Sequence, residues 1–329
     1  MDKYEFIVGI DVSKLTLDVV ILNTSYLKDY EYLKVENSEK GINSIVKKAK
    51  GKVLFCFEHT GNYSVPLCCI LEEKKMDYWM AVALDIKRSK GLQRGKSDKA
   101  DAKDIAFYAF THLHKLKLTK LPEVDVQKIK LLLTERDKLV KAIALFGITS
   151  ENTSFLPKNV VKETRRINLK TINLLQKQLK MVEGEIKKIV DQNETISQQI
   201  ELVRSVPGVG EQTALNLVVK TQCFSVFHNS RQFACYAGIA PFEFTSGTSI
   251  RGRTKVSHMA DKKMKALLSM AALSAKKWDP ELNKYYHRKV DEGKNPMLVM
   301  NNIRNKMIAR VFAVINRGTP FVNTQKFSA

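Results

Sequence analysis

The chain has 329 residues, 44% of them hydrophobic, which is enough for two domains with cores of their own. Its 55 lysines and arginines against 34 acidic residues give a formal charge of +21, more than solubility needs, and this points to a polyanionic partner such as DNA, RNA or an anionic membrane surface. A membrane role is disfavoured, because no apolar run approaches the roughly 18 residues that span a bilayer and the N-terminus lacks the charged-then-apolar pattern of a secretory signal; the expectation is a cytoplasmic protein. The five cysteines, Cys56, Cys68, Cys69, Cys223 and Cys235, are odd in number, lie in apolar segments and show no C-x-x-C spacing, so they read as reduced core residues. From residue 204 onward there are 20 Lys/Arg against 7 Asp/Glu, a net of +13, so the C-terminal portion is the more basic one.

The apolar run at 5–10 (EFIVGI) ends at Asp11, and a second β-rich run at 15–22 (LTLDVVIL) follows within a few residues, which predicts a hairpin. A third strand is expected at 30–35, a capped amphipathic helix at 39–49, and a buried strand at 53–57 that ends at Glu58. A helix near 63–73, a strand at 78–83 and a basic loop (KRSKGLQRGKSDK) lead to a helix beginning near Asp98. This β-β-β-α-β-α-β-α order belongs to mixed-sheet α/β folds. From Val126 the pattern turns helical. Ile172, Leu175, Leu179, Val182, Ile186, Ile189, Ile196, Ile200 and Val203 form a 3-4 seam broken only by Asn193. Three arrangements suit it: a helix packed on its own domain, an antiparallel pair with 126–146, or a coiled coil between subunits, with Asn193 fixing register in the latter two. Pro207 ends the long helix. The expected domains are 1–125, 126–203 and 204–329.

Asp11 and Glu58 each fall at the end of an apolar strand, while Asp98 and Asp101 are three apart at a helix start and so share one face. Phosphodiester cleavage by metal ions needs two hard cations roughly 4 Å apart, held by oxygen ligands from several elements. Four carboxylates from two strands and a helix meet that requirement, with Mg²⁺ as the expected ion. Asp104 continues the three-residue spacing and is a rival ligand; Asp18 is expected to be solvated.

Further along, Pro207, Gly208, Val209 and Gly210 stand between two helical segments. A glycine turn leading into a helix N-terminus can bind a phosphate through backbone N–H groups without reading sequence, so the segment reads as a helix-hairpin-helix. Ser246, Gly247, Thr248 and Ser249 then crowd beside Arg251, Arg253 and Lys255. By chemistry alone this is a Ser/Gly loop in a basic setting, whose cations could hold a phosphate beside a hydroxyl nucleophile.

The segments GIDVSKLTLDVVIL, FEHTGNYSVPL and KSDKADAKDIA resemble the three acidic blocks of the DEDD transposases of the Piv/MooV type, insertion-sequence recombinases with a RuvC-like catalytic domain. Their third block, K-[ST]-D-x-x-D-A, is matched by Lys96, Ser97, Asp98, Asp101 and Ala102, which favours Asp98/Asp101 over Asp101/Asp104. Their C-terminal F-A-x-[FY]-A-G-[LI]-x-P block is matched by Phe233, Ala234, Tyr236, Ala237, Gly238, Ile239 and Pro241, and S-G-x-[ST]-x-R-G by Ser246, Gly247, Ser249, Arg251 and Gly252. The resemblance covers blocks from about Gly9 to Gly252. It implies that an RNase H-like (RuvC-like) α/β domain and the C-terminal serine domain meet in one composite active site, within one chain or between subunits; with the heptad seam, the expected fold adds a helical coiled-coil segment and a mostly α-helical C-terminal domain. It also implies Ser246 as nucleophile ahead of Thr245, Thr248 and Ser249, and a structured non-coding guide RNA as partner beside DNA; the charge and the heptad seam suit a homodimer or tetramer. This chain departs from the family at 257–260, Ser-His-Met-Ala where S-K-x-G is frequent, so either His258 replaces a phosphate-contacting lysine or Lys255 or Lys262 supplies it. Two rival readings are a RuvC-like junction endonuclease that uses water and a non-catalytic nucleic-acid-binding protein. A sugar-kinase or actin-like ATPase shares the strand order, but this chain lacks the glycine that such a phosphate loop places after the aspartate, having Val12 after Asp11.

Overall fold

The computed structural model describes residues 4–91, 97–152, 155–247 and 250–323, and the chain divides into two compact units, Met1–Leu121 and Pro122–Ala329. The first is built on five strands, β1 (Phe6–Val12), β2 (Thr16–Asn23), β3 (Tyr30–Glu36), β4 (Val53–Glu58) and β5 (Asp77–Ala81), ordered β3-β2-β1-β4-β5. The β1–β2 and β2–β3 pairs are antiparallel, whereas β1–β4 and β4–β5 are parallel. This mixed sheet is compatible with the RNase H-like expectation.

Alternation along the strands assigns the two faces. Val8, Ile10, Val12, Leu17, Val19 and Phe55 pack with helices α1 (Glu39–Lys48) and α2 (Val65–Glu73), while Ile7, Val20, Leu22, Leu54, Cys56 and Trp79 pack with Ala102, Ile105, Ala106 and Tyr108. Between β5 and that last group the chain forms α3 (Ala83–Ser89), where the sequence suggested strand and basic loop. One fully buried residue, Ile86, anchors it, and Asp85 in its first turn with Lys87 and Arg88 in its last complement the helix dipole. Helix α4 (Asp98–Thr111) starts where expected: the Ser97 hydroxyl caps it by accepting from the Ala100 amide, with Asp98 and Asp101 in the first turn. Gly9 lets α4 lie directly on β1, since a Cβ there would meet the Ala102 carbonyl oxygen and the Ala106 nitrogen, each at 2.4 Å.

The second unit begins with α5 (Val124–Asn152) and α6 (Lys158–Gln192), which pair antiparallel: Arg136 Nε donates to Glu183 at 2.9 Å, and Asn193 Nδ2 reaches Glu123 and Asp125 at the other end. The seam residues Ile172, Leu175, Leu179 and Val182 are half-buried in this pair. Asn193 does not act as a core register residue. It breaks the helix and caps α7 (Glu194–Arg204), its Oδ1 accepting from the Ile196 amide, because Asn satisfies an open helix end better than a seam. Helices α8 (Glu211–Lys220), α9 (Ser230–Tyr236), α10 (Lys262–Trp278), α11 (Pro280–Asp291) and α12 (Pro296–Arg317) enclose one core with Val203, Phe233, Leu268, Ile303 and Val311 at its centre. Between α9 and α10 stands an antiparallel ribbon, β6 (Pro241–Ser246) and β7 (Ile250–Val256).

All described cysteines are free. Cys56 and Cys68 are buried as expected, but Cys69 is exposed because it lies on the outward side of α2. No helix of the described residues is long and apolar enough to cross a membrane.

Candidate active site

The acidic residues of the first unit form a row across the sheet. Asp11 on β1 pairs directly with Asp18 on β2, and Asp18 with Lys34 on β3. Glu58 follows one residue beyond the Ile10↔Phe57 pair on β4. Directly opposed residues share a face, and this is the face that α4 covers.

Asp18 is therefore not solvated. It is 2% exposed, accepts from the Tyr32 hydroxyl at 2.5 Å and ion-pairs with Lys34 at 3.1 Å. Its place inside an apolar run hid it; the register opposite Asp11 reveals it.

Helix α4 brings Asp98 and Asp101 over the same end. The Asp11 carboxyl is held above its ordinary range by burial first, and then by the charges of Asp101, Asp98, Glu58 and Asp18. Two ammonium groups offset this surplus. Lys90, just after α3, donates to Asp101 at 2.7 Å and ion-pairs with Asp104 at 3.3 Å, while Lys34 lies 3.8 Å from Asp98. Burial alone would lower the Lys90 ammonium, but its bonds to Asp101 and Asp104 outweigh that and leave it raised.

In the second unit, the residues of the F-A-x-[FY]-A-G block are scaffold. Phe233, Ala234, Ala237 and Ile239 are core. The Tyr236 hydroxyl donates to Asp261 at 2.8 Å, Lys220 meets the same carboxylate at 2.6 Å, and Asp261 caps α10. Asn301 and Asn305 of α12 both donate to the Ile239 carbonyl, just before β6 begins. These four polar residues, Lys220, Asp261, Asn301 and Asn305, fix the base of the ribbon; lone Asn and Lys on helical faces gave no signal of it. Ser246 is the last residue of β6, opposite Ile250, so what read as a loop is a hairpin. The side chains of Ser246, Arg251 and Arg253, and the whole of Lys96, Thr248 and Ser249, lie outside the described residues. Lys255 and His258 are exposed.

In the P-G-V-G turn between α7 and α8, Gly208 has φ +88° and an added Cβ would strike the Ala271 carbonyl and the Ala275 nitrogen of α10. Val209 is buried, and Gly210, at the N-cap of α8, is the exposed member. Packing thus accounts for Gly208 and leaves Gly210 accessible.

Two family profiles match this chain: a DEDD transposase domain of the IS110 type over residues 8–146, and the transposase IS116/IS110/IS902 family over residues 200–287. The chain belongs to the IS110 family of DEDD transposases. It is 26% identical over 231 residues to the pilin gene-inverting protein of Moraxella bovis, covering 69% of this chain and 68% of that one. It is also 30% identical over 118 residues to a 43.6 kDa protein of the insertion element IS110 of Streptomyces coelicolor, 36% of this chain and 29% of that protein. The transposase of the element IS1111A of Coxiella burnetii matches at 27% over 183 residues, 47% and 48% of the two chains. This IS110-family chain is a DNA transposase or recombinase, and its DEDD domain implies a divalent metal ion, generally Mg²⁺.

The donor set suits such an ion, since carboxylate oxygens are the ligands hard cations take, and the crowding of negative charge around Asp11 is what a divalent cation would relieve. Among the described residues no group of three or more His, Cys, Asp and Glu side chains is gathered closely enough to hold a metal as it stands. Asp98 and Asp101 are engaged by Lys34 and Lys90 instead. A metal ion held by Asp101 would have to displace the Lys90 ion pair. Replacing Lys90 with Met is expected to lower stability in EDTA by about 2 kcal/mol, the scale of a charged hydrogen bond, and to tighten Mg²⁺ binding. Thermal melting with and without Mg²⁺, together with titration calorimetry, reads both; unchanged affinity would show that Lys90 does not compete.

Proposed function

We infer that this transposase cuts and exchanges DNA strands of a mobile element through a covalent phosphoserine. The observation that carries the reading is the convergence of Asp98, Asp101, Glu58 and Asp18 on Asp11. Asp11, Glu58, Asp98 and Asp101 would hold Mg²⁺, with two ions as the expected number, which supplies Lewis-acid polarisation of a phosphate oxygen. Ser246 then attacks phosphorus: its Oγ–P bond forms as the bridging P–O bond breaks, and the proton lost by serine reaches the departing oxygen. Attack by a DNA hydroxyl on the phosphoserine restores the serine, so bond energy is conserved and no nucleotide hydrolysis is needed. The cations Arg251, Arg253 and Lys255 flank the serine in sequence and would hold the phosphate, and the exposed Gly210 with the start of α8 would hold backbone phosphate elsewhere.

Two further parts of the reading concern partners. A guide RNA would choose donor and target by base pairing while the protein grips backbone shape; the +21 charge supports a large polyanionic partner. A homodimer or tetramer is supported by Leu131, Leu145, Leu169, Leu174 and Met181, all more than half exposed on α5 and α6. Inversion of a DNA segment, the activity in the name of the Moraxella bovis relative, is one outcome of the same chemistry.

The test incubates the protein with Mg²⁺, the transcript flanking its gene and end-labelled element DNA. An SDS-resistant protein–DNA adduct is expected, and Ser246→Ala is expected to abolish both adduct and cleavage. Cleavage that persists in Ser246→Ala would transfer the attack to water.

A further inference from the structure

The ribbon β6–β7 turns two aromatic rings to solvent. Phe242 is 49% exposed and Phe244 69%, although rings of this size ordinarily contribute to a core. Phe244 stands opposite Gly252, and a Cβ on that glycine would come within 2.9 Å of Phe244 Cδ1. The ring thus lies across a residue that has no side chain to compete with it. Phe242 stands opposite the exposed Lys255, and the two share a shallow cleft with Val256 and the exposed Met259. Over residues 241–256 the ribbon carries Arg251, Arg253 and Lys255 against the single acid Glu243. An exposed pair of aromatic rings with a cation beside them, Lys255 opposite Phe242, on a ribbon of net positive sequence suits single-stranded nucleic acid, where bases stack on rings and phosphates meet positive charge.

Positions 244 and 246 fall on the same face of β6, because strands alternate and the irregularity of the ribbon lies between Phe242 and Phe244. They are separated by about 7 Å along the strand, the scale that separates a phosphate from the base beside it. We propose that Phe244, flanked by Phe242, is a stacking platform for an unpaired nucleobase of the DNA strand, next to the phosphate that Ser246 attacks. The placement beside the cut phosphate rests on the reading of Ser246 as nucleophile; the stacking itself does not. A base held this way would leave the duplex at the cut and keep the broken strand from rejoining out of register.

The test uses the full chain and a short single-stranded oligodeoxynucleotide with one central 2-aminopurine, whose fluorescence falls when it stacks on a ring. Wild type and Phe244→Trp are expected to quench it. Phe244→Ala and Phe244→Leu are expected to bind at least about fivefold more weakly and to leave it bright. The leucine variant keeps an apolar cover over Gly252, so its loss of quenching separates the ring's role from ribbon folding. Ser246→Ala is expected to quench like wild type, so loss of its covalent adduct and loss of stacking are read independently. Quenching and affinity retained in both Phe244→Ala and Phe244→Leu would overturn the proposal. So would loss of self-association in Phe244→Ala with quenching intact, which would seat a second copy on the ribbon.

Discussion

Asp11→Asn is expected to lower strand cleavage and adduct formation by about a thousandfold or more, while leaving the protein folded and more heat-stable in EDTA than wild type. The first half follows from the size of metal assistance: several kcal/mol of charge stabilisation at the phosphate, at 1.36 kcal/mol per tenfold in rate. The second half follows from the charges facing Asp11. Its carboxyl is raised by burial and by Asp101, Asp98, Glu58 and Asp18, so the folded state holds its proton more tightly than the unfolded chain does. The stabilisation linked to that proton is fully present below the ordinary carboxylate range and is lost as pH rises through the raised value. At neutral pH the folded protein therefore carries the whole repulsion, and the uncharged asparagine removes it. Melting curves in EDTA between pH 4 and 8 should show wild type losing stability relative to Asp11→Asn as pH rises. Added Mg²⁺ should stabilise wild type more than the variant. An Asp11→Asn protein that cuts at the wild-type rate would remove the acidic row from the chemistry.

The parts of this site that were legible in the sequence are those written in one dimension. Asp11 and Glu58 end apolar runs, and the strands that carry them neighbour each other in the sheet. Asp98 and Asp101 follow a capping serine. Asp18 was not legible, because a carboxylate in the middle of an apolar run is explained only by what stands across from it, Asp11 on one side and Lys34 on the other. Asn193 misled for the opposite reason: α6 and α7 both bury residues in one core, so the 3-4 spacing continues through the break that Asn193 caps. The ribbon was obscured by its glycines and serines, although Phe242 and Phe244 on one strand and Ile250, Thr254 and Val256 on the other are residues that favour strands. The P-G-V-G turn looks like a phosphate loop in sequence, yet Gly208 is explained by its approach to α10, a contact with residues more than sixty positions away.

Gly9→Ala is expected to damage both the stability and the acidic cluster of the first unit. Its Cβ would sit 2.4 Å from the Ala102 oxygen, 2.4 Å from the Ala106 nitrogen and 2.7 Å from the Ala106 Cβ. Comfortable contact needs about 3.5 Å, and two of the three atoms are helix backbone that cannot rotate aside. Helix α4 must then lift by about 1 Å, the scale of the shortfall, at a cost near the upper end of overpacking, about 3 kcal/mol. The displaced helix carries Asp98 and Asp101 in its first turn, and Gly9 lies two residues before Asp11 on the same face, so the methyl acts as a spacer between the two halves of the acidic cluster. A misplacement of about 1 Å can lower a rate about a hundredfold. Gly9→Ala should therefore remain cooperatively folded, melt earlier, respond weakly to Mg²⁺ and cut DNA about a hundredfold more slowly. The double variant Gly9→Ala/Ala106→Gly separates backbone from side chain. It removes the Ala106 methyl but neither backbone atom, so it should stay defective, and recovery of cleavage would mean that the Ala106 methyl alone sets the spacing of the carboxylates.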